Sequence, residues 1–532
     1  MCIRDRSEAE ITEKIQTRRG NLEKIAKDWY KLLTKEVTVI GTKGKNIFDV
    51  TTLQNDILSV NAYHVDDGEK HLIYSRKIQG KDCDELRFYG LKKSDTFNFN
   101  GSEKSTIKVK LVGGSGDDVV NNNSTLNIVA YDREDGMELT GNKVKSKLKN
   151  QRGINRFDRK EWKLPRVFHF PIWSFYTDEG IGISYNLWWI NQGFRKNPYK
   201  SSHTASLSYF FGNTAFVGAY TGHWPDAFSP GWDFKLALDG VGPAFTQYFY
   251  GLGSEFIDYE EVFPDIEDSG NNNFHIVRGT HIDVNPEIVK DLNNNRSFSI
   301  NPSLEFYNLD DEPNNPDEEE RFIFFPEANR TALDFERKIY AGIGVNYTSD
   351  RVNNAVLPTR GYKFNVGADF KQSLTDSEFN NLTLETGLSA YFPFSPTHKV
   401  VLATNIGAGY TFGDYEFFHA NYLSSSSRLR GFRTNRFAGD GIAYHATDLR
   451  VKVFQGKGTW TTAFGLFGSF DYGRSFLADE VIGGEGVDFF DSWQYSWGGG
   501  IYVAPLNLFG FKLGYYQGEE DTQVLIGGAL AF

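Results

Sequence analysis

The sequence predicts an all-β protein: a sixteen-stranded antiparallel transmembrane β-barrel, preceded by a small β-rich soluble region with an N-terminal helix. Composition favours this class, because 15% of the 532 residues are aromatic and 53 are Gly, a mixture typical of strands joined by many turns. No apolar run approaches the roughly 18 residues of a membrane helix. Membrane strands are still allowed, because they alternate in polarity.

Charge and cysteine content exclude other classes. The 57 basic and 69 acidic residues give a net charge of -12, whereas non-specific binding to nucleic acid needs a basic surface. We therefore expect no nucleic-acid partner. Cys2 and Cys83 cannot form a disulfide framework and lack zinc-site spacing.

Catalytic patterns are missing from the sequence. It holds no H-E-x-x-H, G-x-S-x-G or P-loop pattern. We therefore expect no enzymatic activity and no cofactor, and name no catalytic residue. His64, near Asp66 and Asp67, is interpreted as part of a polar turn.

Residues 1–165 are expected to form the soluble region. Apolar residues at helical spacing predict an amphipathic helix over residues 8–35 with a break at Gly20. The basic stretch Lys143–Lys163 is either a solvated linker or a contact with anionic lipid headgroups. Because the start carries no export signal, we expect residues 1–6 to be foreign and the chain to be a C-terminal fragment.

Three similar segments in this region suggest stacked β-turns. They begin at Gly41, Gly90 and Gly113, and the third matches a calcium-binding repeat. Two interpretations follow: a calcium site, or a β-stack without metal. The second is favoured because the first two segments lack the full glycine set. The calcium candidates are Gly113, Gly114, Gly116 and Asp118.

Residues 166–532 carry the barrel prediction. Sixteen candidate strands follow one another from about residue 181 to 532, including one over 243–255, and short turns tend to alternate with long polar loops. In the strand from 360 to 372, Phe364, Val366 and Phe370 alternate with polar or small residues. A soluble sandwich would also alternate, but this much sheet would need several domains with linkers between them.

A basic, aromatic loop between the eleventh and twelfth strands is the candidate site. It contains Arg430, Gly431 and Phe432, which suit a polar lumen better than solvent. Strand parity points Asp471 into the same lumen, and Asp448 and Arg450 are candidates for facing it too.

These features resemble the outer-membrane protein assembly and translocation superfamily, which includes the BamA/TamA assembly proteins and the two-partner secretion transporters. The resemblance spans about residues 166–532. Arg430, Gly431 and Phe432 match its Arg-Gly-Phe/Tyr motif, and Asp471 and Gly473 match its F-x-D-x-G strand motif, with Ser469 at the aromatic position. The last strand, ending in Phe532, is similar to the family's C-terminal insertion signal.

The resemblance implies a function and a location. It implies an outer-membrane barrel with its N-terminal region in the periplasm, packing of Arg430 against Asp471, and a weak seam between the strand near Ile181 and the strand ending at Phe532. Such barrels insert outer-membrane proteins or translocate polypeptide. The expected partners are lipid, lipopolysaccharide and unfolded outer-membrane protein clients.

Two alternatives remain open. Residues 36–165 lack the helices of the family's POTRA modules and resemble instead relatives that follow a calcineurin-like metallophosphoesterase, so the barrel could anchor or export such an upstream enzyme. A diffusion porin is less favoured, because the loop would fill its lumen. The acidic stretch Asp310–Glu320 is interpreted as a solvated loop or as a site for cations that bridge lipopolysaccharide.

Overall fold

The computed structural model describes residues 2–149, 153–159, 163–176, 180–253, 274–293, 295–310, 335–376, 379–423, 428–456, 461–478, 493–507, 509–520, 522–527 and 532. The chain divides into two compact units, Met1–Lys163 and Leu164–Phe532. Apart from one N-terminal α-helix and short 3-10 turns, the regular structure of these residues is strand. The all-β prediction is confirmed.

The first unit begins with helix α1, Cys2–Thr34. The predicted break at Gly20 is wrong: the helix continues through this residue, where an added Cβ would meet nothing within 4 Å. A glycine inside a helix costs only about 0.5–1 kcal/mol relative to alanine, which does not end a helix of this length. Leu22 and Trp29 are exposed. Helix α1 lacks the long apolar stretch that spans a membrane, and no other helix among the described residues has one.

The rest of the first unit is built from two sheets. The strands are β1 Glu36–Ile40, β2 Lys45–Leu53, β3 Ile57–Asp66, β4 Glu69–Gln79, β5 Glu85–Lys92, β6 Thr96–Gly101, β7 Lys108–Ser115, β8 Asp118–Ser124, β9 Ile128–Asp132, β10 Met137–Gly141 and β11 Val144–Leu148. One sheet has the order β1-β5-β7-β9-β11 and the other β10-β8-β6-β2-β3-β4.

Successive turns of this unit stack on one another. Strands β1, β5, β7, β9 and β11 pair in parallel, as do β2, β6, β8 and β10. Tyr89 pairs with both Ile40 and Val112, so Gly41, Gly90 and Gly113 come one above another. Inward side chains close the core between the sheets; the rings of Phe48 and Phe97 stack 4.8 Å apart.

The second unit contains one large antiparallel sheet. Its strands are β12 Arg166–Tyr176, β13 Gly180–Asn191, β14 Ser201–Phe210, β15 Phe216–Ser229, β16 Trp232–Val241, β17 Thr246–Tyr248, β18 Ile276–Asp291, β19 Arg296–Leu309, β20 Lys338–Val352, β21 Gly361–Ser373, β22 Asn380–Pro393, β23 Val400–Asp414, β26 Gly441–Gln455, β27 Ala463–Phe476, β28 Gln494–Ala504, β29 Phe511–Gln517 and β30 Thr522–Gly527. Two short strands, β24 Asn421–Tyr422 and β25 Ala438–Gly439, pair separately.

Within the described residues, the sheet has 17 strands, of which β17 is a three-residue addition because β16 pairs directly with β18. Sixteen longer strands remain, which equals the predicted number, but the set differs at two places. The predicted strand over 243–255 is wrong, since of the described residues 243–253 only Thr246–Tyr248 forms a strand. The sheet begins instead with β12, which the alternation pattern missed, so β12 and not the strand near Ile181 is the first strand of the sheet.

Connection length and side-chain direction follow the barrel pattern. The long connections after β16, β19, β23 and β27 alternate with short turns such as those between β15 and β16 or β22 and β23. Outward side chains on β21 are exposed, including Val366 and Phe370 at 42% each. On the opposite face of β21, Lys371 forms an ion pair with Glu305 of β19.

Candidate functional site in the lumen loop

Residues 415–440 connect β23 to β26, and we call them the lumen loop because its side chains contact the inward faces of the strands. Arg430 of this loop is 1% exposed. Its Nε donates to Asp471 Oδ2 at 2.8 Å and its Nη2 to Asp471 Oδ1 at 2.5 Å. A third nitrogen, Nη1, donates to Asp448 Oδ1 at 2.8 Å. The guanidinium thus joins carboxylates of two neighbouring strands.

Asp448 holds further cations in the same cluster. Its Oδ2 accepts from Lys512 Nζ at 2.9 Å and from Arg450 Nη2 at 3.0 Å. Asp448 itself is fully buried. Removing one partner from a buried ion pair typically costs about 3–5 kcal/mol, because the other charge is left unpaired. We call Arg430, Asp448, Arg450, Asp471 and Lys512 the arginine cluster.

Gly431 and Phe432 fit the loop closely to the wall. A Cβ on Gly431 would lie 2.5 Å from Ser496 Cβ and 2.6 Å from the backbone N of Gly518, so only glycine allows this approach. The ring of Phe432 packs with Phe437 at a centroid distance of 5.1 Å. The two residues after Arg430 therefore set how deeply it enters the lumen.

The strand motif around Asp471 also contains a glycine that leaves room for the lumen loop. A Cβ on Gly473 would lie 2.8 Å from the side chain of Leu423 in the lumen loop, so a larger residue would displace the loop. Ser469, where the family carries an aromatic residue, donates to Asp448 Oδ1 at 2.8 Å. In this chain the departure from the motif adds a hydrogen bond to the arginine cluster.

A family model decides the identity of the barrel. The Omp85 superfamily domain matches residues 231–527, more than half of the chain. This chain belongs to the Omp85 superfamily. It is an Omp85-family outer-membrane barrel.

Solved structures of Omp85 proteins are similar to the chain. BamA from Haemophilus ducreyi lacking POTRA domains 1–3 has a TM-score of 0.46 and 12% identity, covering 74% of this chain and 73% of that one. CdiB from Acinetobacter baumannii has a TM-score of 0.40 and 11% identity, covering 67% and 58%. CdiB from Escherichia coli has a TM-score of 0.40 and 12% identity, covering 75% and 64%.

Phe532 lies outside the last described strand of the Omp85 sheet, which ends at Gly527. Its ring centroid is 5.3 Å from Arg450 Cζ and 5.5 Å from Arg430 Cζ. Its backbone N donates to the hydroxyl of Tyr391 at 3.0 Å. The structure thus places this aromatic ring against the arginine cluster, and its role as an insertion signal stays a prediction.

Sequence reasoning missed two members of this site. Lys512 and Tyr516 both lie on β29, and the Tyr516 ring centroid is 4.9 Å from Arg430 Cζ. Strand parity could have placed both residues inside the barrel. It could not say which of the inward residues would meet the loop, because that depends on the curvature of the sheet.

The calcium candidates lie in the first unit, where the turns stack. Gly114 and Gly116 have positive φ values, and a Cβ on either would lie under 2.5 Å from backbone atoms of Leu91 or Lys93. Close approach of the neighbouring backbone thus accounts for both glycines without a metal ion. Among the described residues no group of three His, Cys, Asp or Glu side chains is arranged to hold a metal ion. Calcium binding near Gly113 and Asp118 stays a prediction.

The remaining residues that the sequence analysis named lie outside the lumen loop. His64 is in strand β3, not in a turn, and its Nδ1 is 2.9 Å from Thr42 Oγ1. Part of the basic stretch forms β11, and residues 150–152 and 160–162 lie outside the described residues. The acidic stretch also lies outside them, except for Asp310.

Proposed function

We propose that this Omp85 barrel acts in the assembly or translocation of polypeptide at the outer membrane, and that within this class it inserts client barrels. The observation that carries the proposal is the burial of Arg430 between Asp448 and Asp471. A loop held in this way occupies the lumen, which favours activity at the sheet edge over passage through the pore.

The edge strands support insertion at a seam. Among the described residues, no pairing joins β12 to β30. Strand β12 exposes apolar side chains on both faces, with Trp173 at 73% and Ile172 at 51%. An unpaired strand edge is a template for addition of another strand. We propose that client strands add there.

We also propose the surroundings of the two units. The first unit lies in the periplasm. Outward residues such as Phe370 and Ile526, which is 76% exposed, contact lipid and, in the outer leaflet, lipopolysaccharide.

The test compares three forms of the protein in lipid vesicles supplied with an unfolded outer-membrane protein. Arg430→Ala removes the central cation of the arginine cluster, and we expect it to slow insertion of the client while the barrel stays folded. Arg433→Ala is the matched control, because Arg433 is an exposed arginine of the same loop. Insertion at the wild-type rate by Arg430→Ala would refute the role of the loop, and a wild-type protein that inserts no client would refute the function.

A further inference from the structure

The lumen loop has a second buried attachment, at its other end. A short 3-10 turn, Phe417–His419, follows β23. His419 Nε2 lies 2.7 Å from Glu305 Oε2 on β19, and the two side chains are 3% and 8% exposed. Lys371 of β21 pairs with the other oxygen of Glu305 at 2.7 Å. One carboxylate thus joins the loop to two strands of the wall.

Glu416 adds a contact with the strand between those two. The hydroxyl of Tyr340 on β20 donates to Glu416 Oε2 at 2.5 Å. Lys338 Nζ, also on β20, is 3.8 Å from Glu416 Oε1, and these two side chains are 3% and 2% exposed. Charges buried this fully need their partners, because an unpaired buried charge is strongly unfavourable.

Aromatic packing completes the second attachment. The ring of Phe418 stacks on Tyr307 of β19 with centroids 3.8 Å apart, and Phe417 packs against Phe249 at 4.6 Å. Phe417 and Phe249 are 2% and 1% exposed. We call Glu416, Phe417, Phe418 and His419, with their partners on β19, β20 and β21, the upstream latch.

The two attachments hold different parts of the wall. The upstream latch lies on β19–β21, and the arginine cluster on β26, β27 and β29, with β22 and β23 between them in the sheet. A polar cavity of about 450 Å³ lies between residues 418–421 of the loop and the inward faces of the wall strands. The loop is therefore attached to the wall at two places, and the cavity lies beside its first turn.

We propose that Glu416 and His419 are positioning residues that hold the lumen loop independently of Arg430, so that the lumen opens only when both attachments release. The proposal rests on the proposed function, because it assumes that the loop controls access to the lumen. It has a direct consequence for Arg430→Ala: this variant keeps the upstream latch, and its lumen stays blocked.

Ion conductance of the purified barrel in planar bilayers tests this without any client. We expect Arg430→Ala and Glu416→Gln/His419→Gln each to conduct close to wild type, and the three substitutions together to raise conductance severalfold. Asp414→Asn, at the exposed end of β23 just before the loop, is the control and should match wild type. Full opening by Arg430→Ala alone, or no opening when all three substitutions are combined, would overturn the proposal.

A second measurement covers the case in which the combined variant does not fold. A cysteine placed at Ala420, with Cys2 and Cys83 replaced by serine, reports access to the loop through its reaction with a charged maleimide. We expect slow labelling in the wild-type and Arg430→Ala backgrounds and faster labelling with Glu416→Gln/His419→Gln. Equal rates in all three backgrounds would overturn the upstream latch, whereas failed client insertion alone would overturn only the proposed function.

Discussion

Arg430 shows what one residue can contribute in this lumen. Its guanidinium places three nitrogens on two carboxylates, a planar, forked pattern that lysine cannot reproduce. The sequence motif predicted Asp471 as a partner because strand parity fixes the face of a residue. Lys512 could not be predicted in the same way, because parity places it inside the barrel without showing which inward residues reach Asp448.

At Gly431 we predict a steric effect. Gly431→Ala would place a Cβ 2.5 Å from Ser496 Cβ, which would push the loop from the wall. We expect a loss of about 1–3 kcal/mol, the usual cost of overpacking, measured as the change in free energy of unfolding in denaturant. Gly468→Ala is the control, since nothing lies within 4 Å of its added Cβ. Equal stability of the two variants would contradict the close approach.

Among the elements, the stacked turns of the first unit contain a ladder of buried polar side chains. Each of Gly41, Gly90 and Gly113 is followed five residues later by Asn46, Asp95 or Asp118. The backbone N of Asn46 donates to Asp95 Oδ1 at 2.6 Å, and that of Asp95 to Asp118 Oδ1 at 2.7 Å. The glycines make room for these carboxylates: a Cβ on Gly113 would lie 2.1 Å from Asp118 Oδ2.

The ladder ends in two carboxylates that face each other. A Cβ added to Gly113 would lie 2.1 Å from Asp118 Oδ2 and also 2.1 Å from Asp132 Oδ2. These two carboxylate oxygens are therefore close to each other. Burial raises the pKa of Asp118 and of Asp132, and the neighbouring carboxylates raise that of Asp118 further. Burial also raises the pKa of Asp95, to about 7. Protons are thus bound more tightly in the folded unit than in the unfolded chain.

Because the folded unit binds these protons more tightly than the unfolded chain does, its stability falls as pH rises. A carboxyl group whose folded pKa is raised stabilises the fold at low pH, and that contribution is lost as pH rises from the ordinary value of 3.8 towards 7. We expect hydrogen exchange of β8–β10 in the full chain to accelerate as pH rises over this window, after correction for intrinsic exchange. Asp132→Asn should weaken the dependence, and Asp117→Asn, at an exposed neighbour, should retain it. Protection that increases with pH would contradict the ladder.

Strand prediction succeeded and failed for physical reasons. Alternation identified β21 and β27, where exposed apolar side chains on one face alternate with polar or small residues on the other. Strand β12 was missed because Phe168, Ile172 and Trp173 are apolar on both faces, which removes the alternation. The sequence also predicts strand at Phe249 and Tyr250, which lie beyond the end of β17, because tertiary packing holds Phe249 against Phe417.

For the molecule as a whole, the proposed seam predicts uneven protection of the sheet. Among the described residues, β12 pairs only with β13, whereas β22 pairs on both sides along its length. We expect amides on the free edge of β12 to exchange with deuterium faster than those of β22, because unpaired edges open with little free-energy cost. Hydrogen exchange of the barrel in lipid nanodiscs, read by mass spectrometry, measures this. Equal protection of the two strands would mean that the seam is closed.

The two attachments of the lumen loop also differ in when the chain can make them. His419 reaches back 114 positions to Glu305, whereas Arg430 reaches forward 41 positions to Asp471. In any folding order that runs from the N-terminal side, the partners of the upstream latch are present before those of Arg430. The later strands then close around a loop that is already in place, so nothing has to be threaded into a finished barrel.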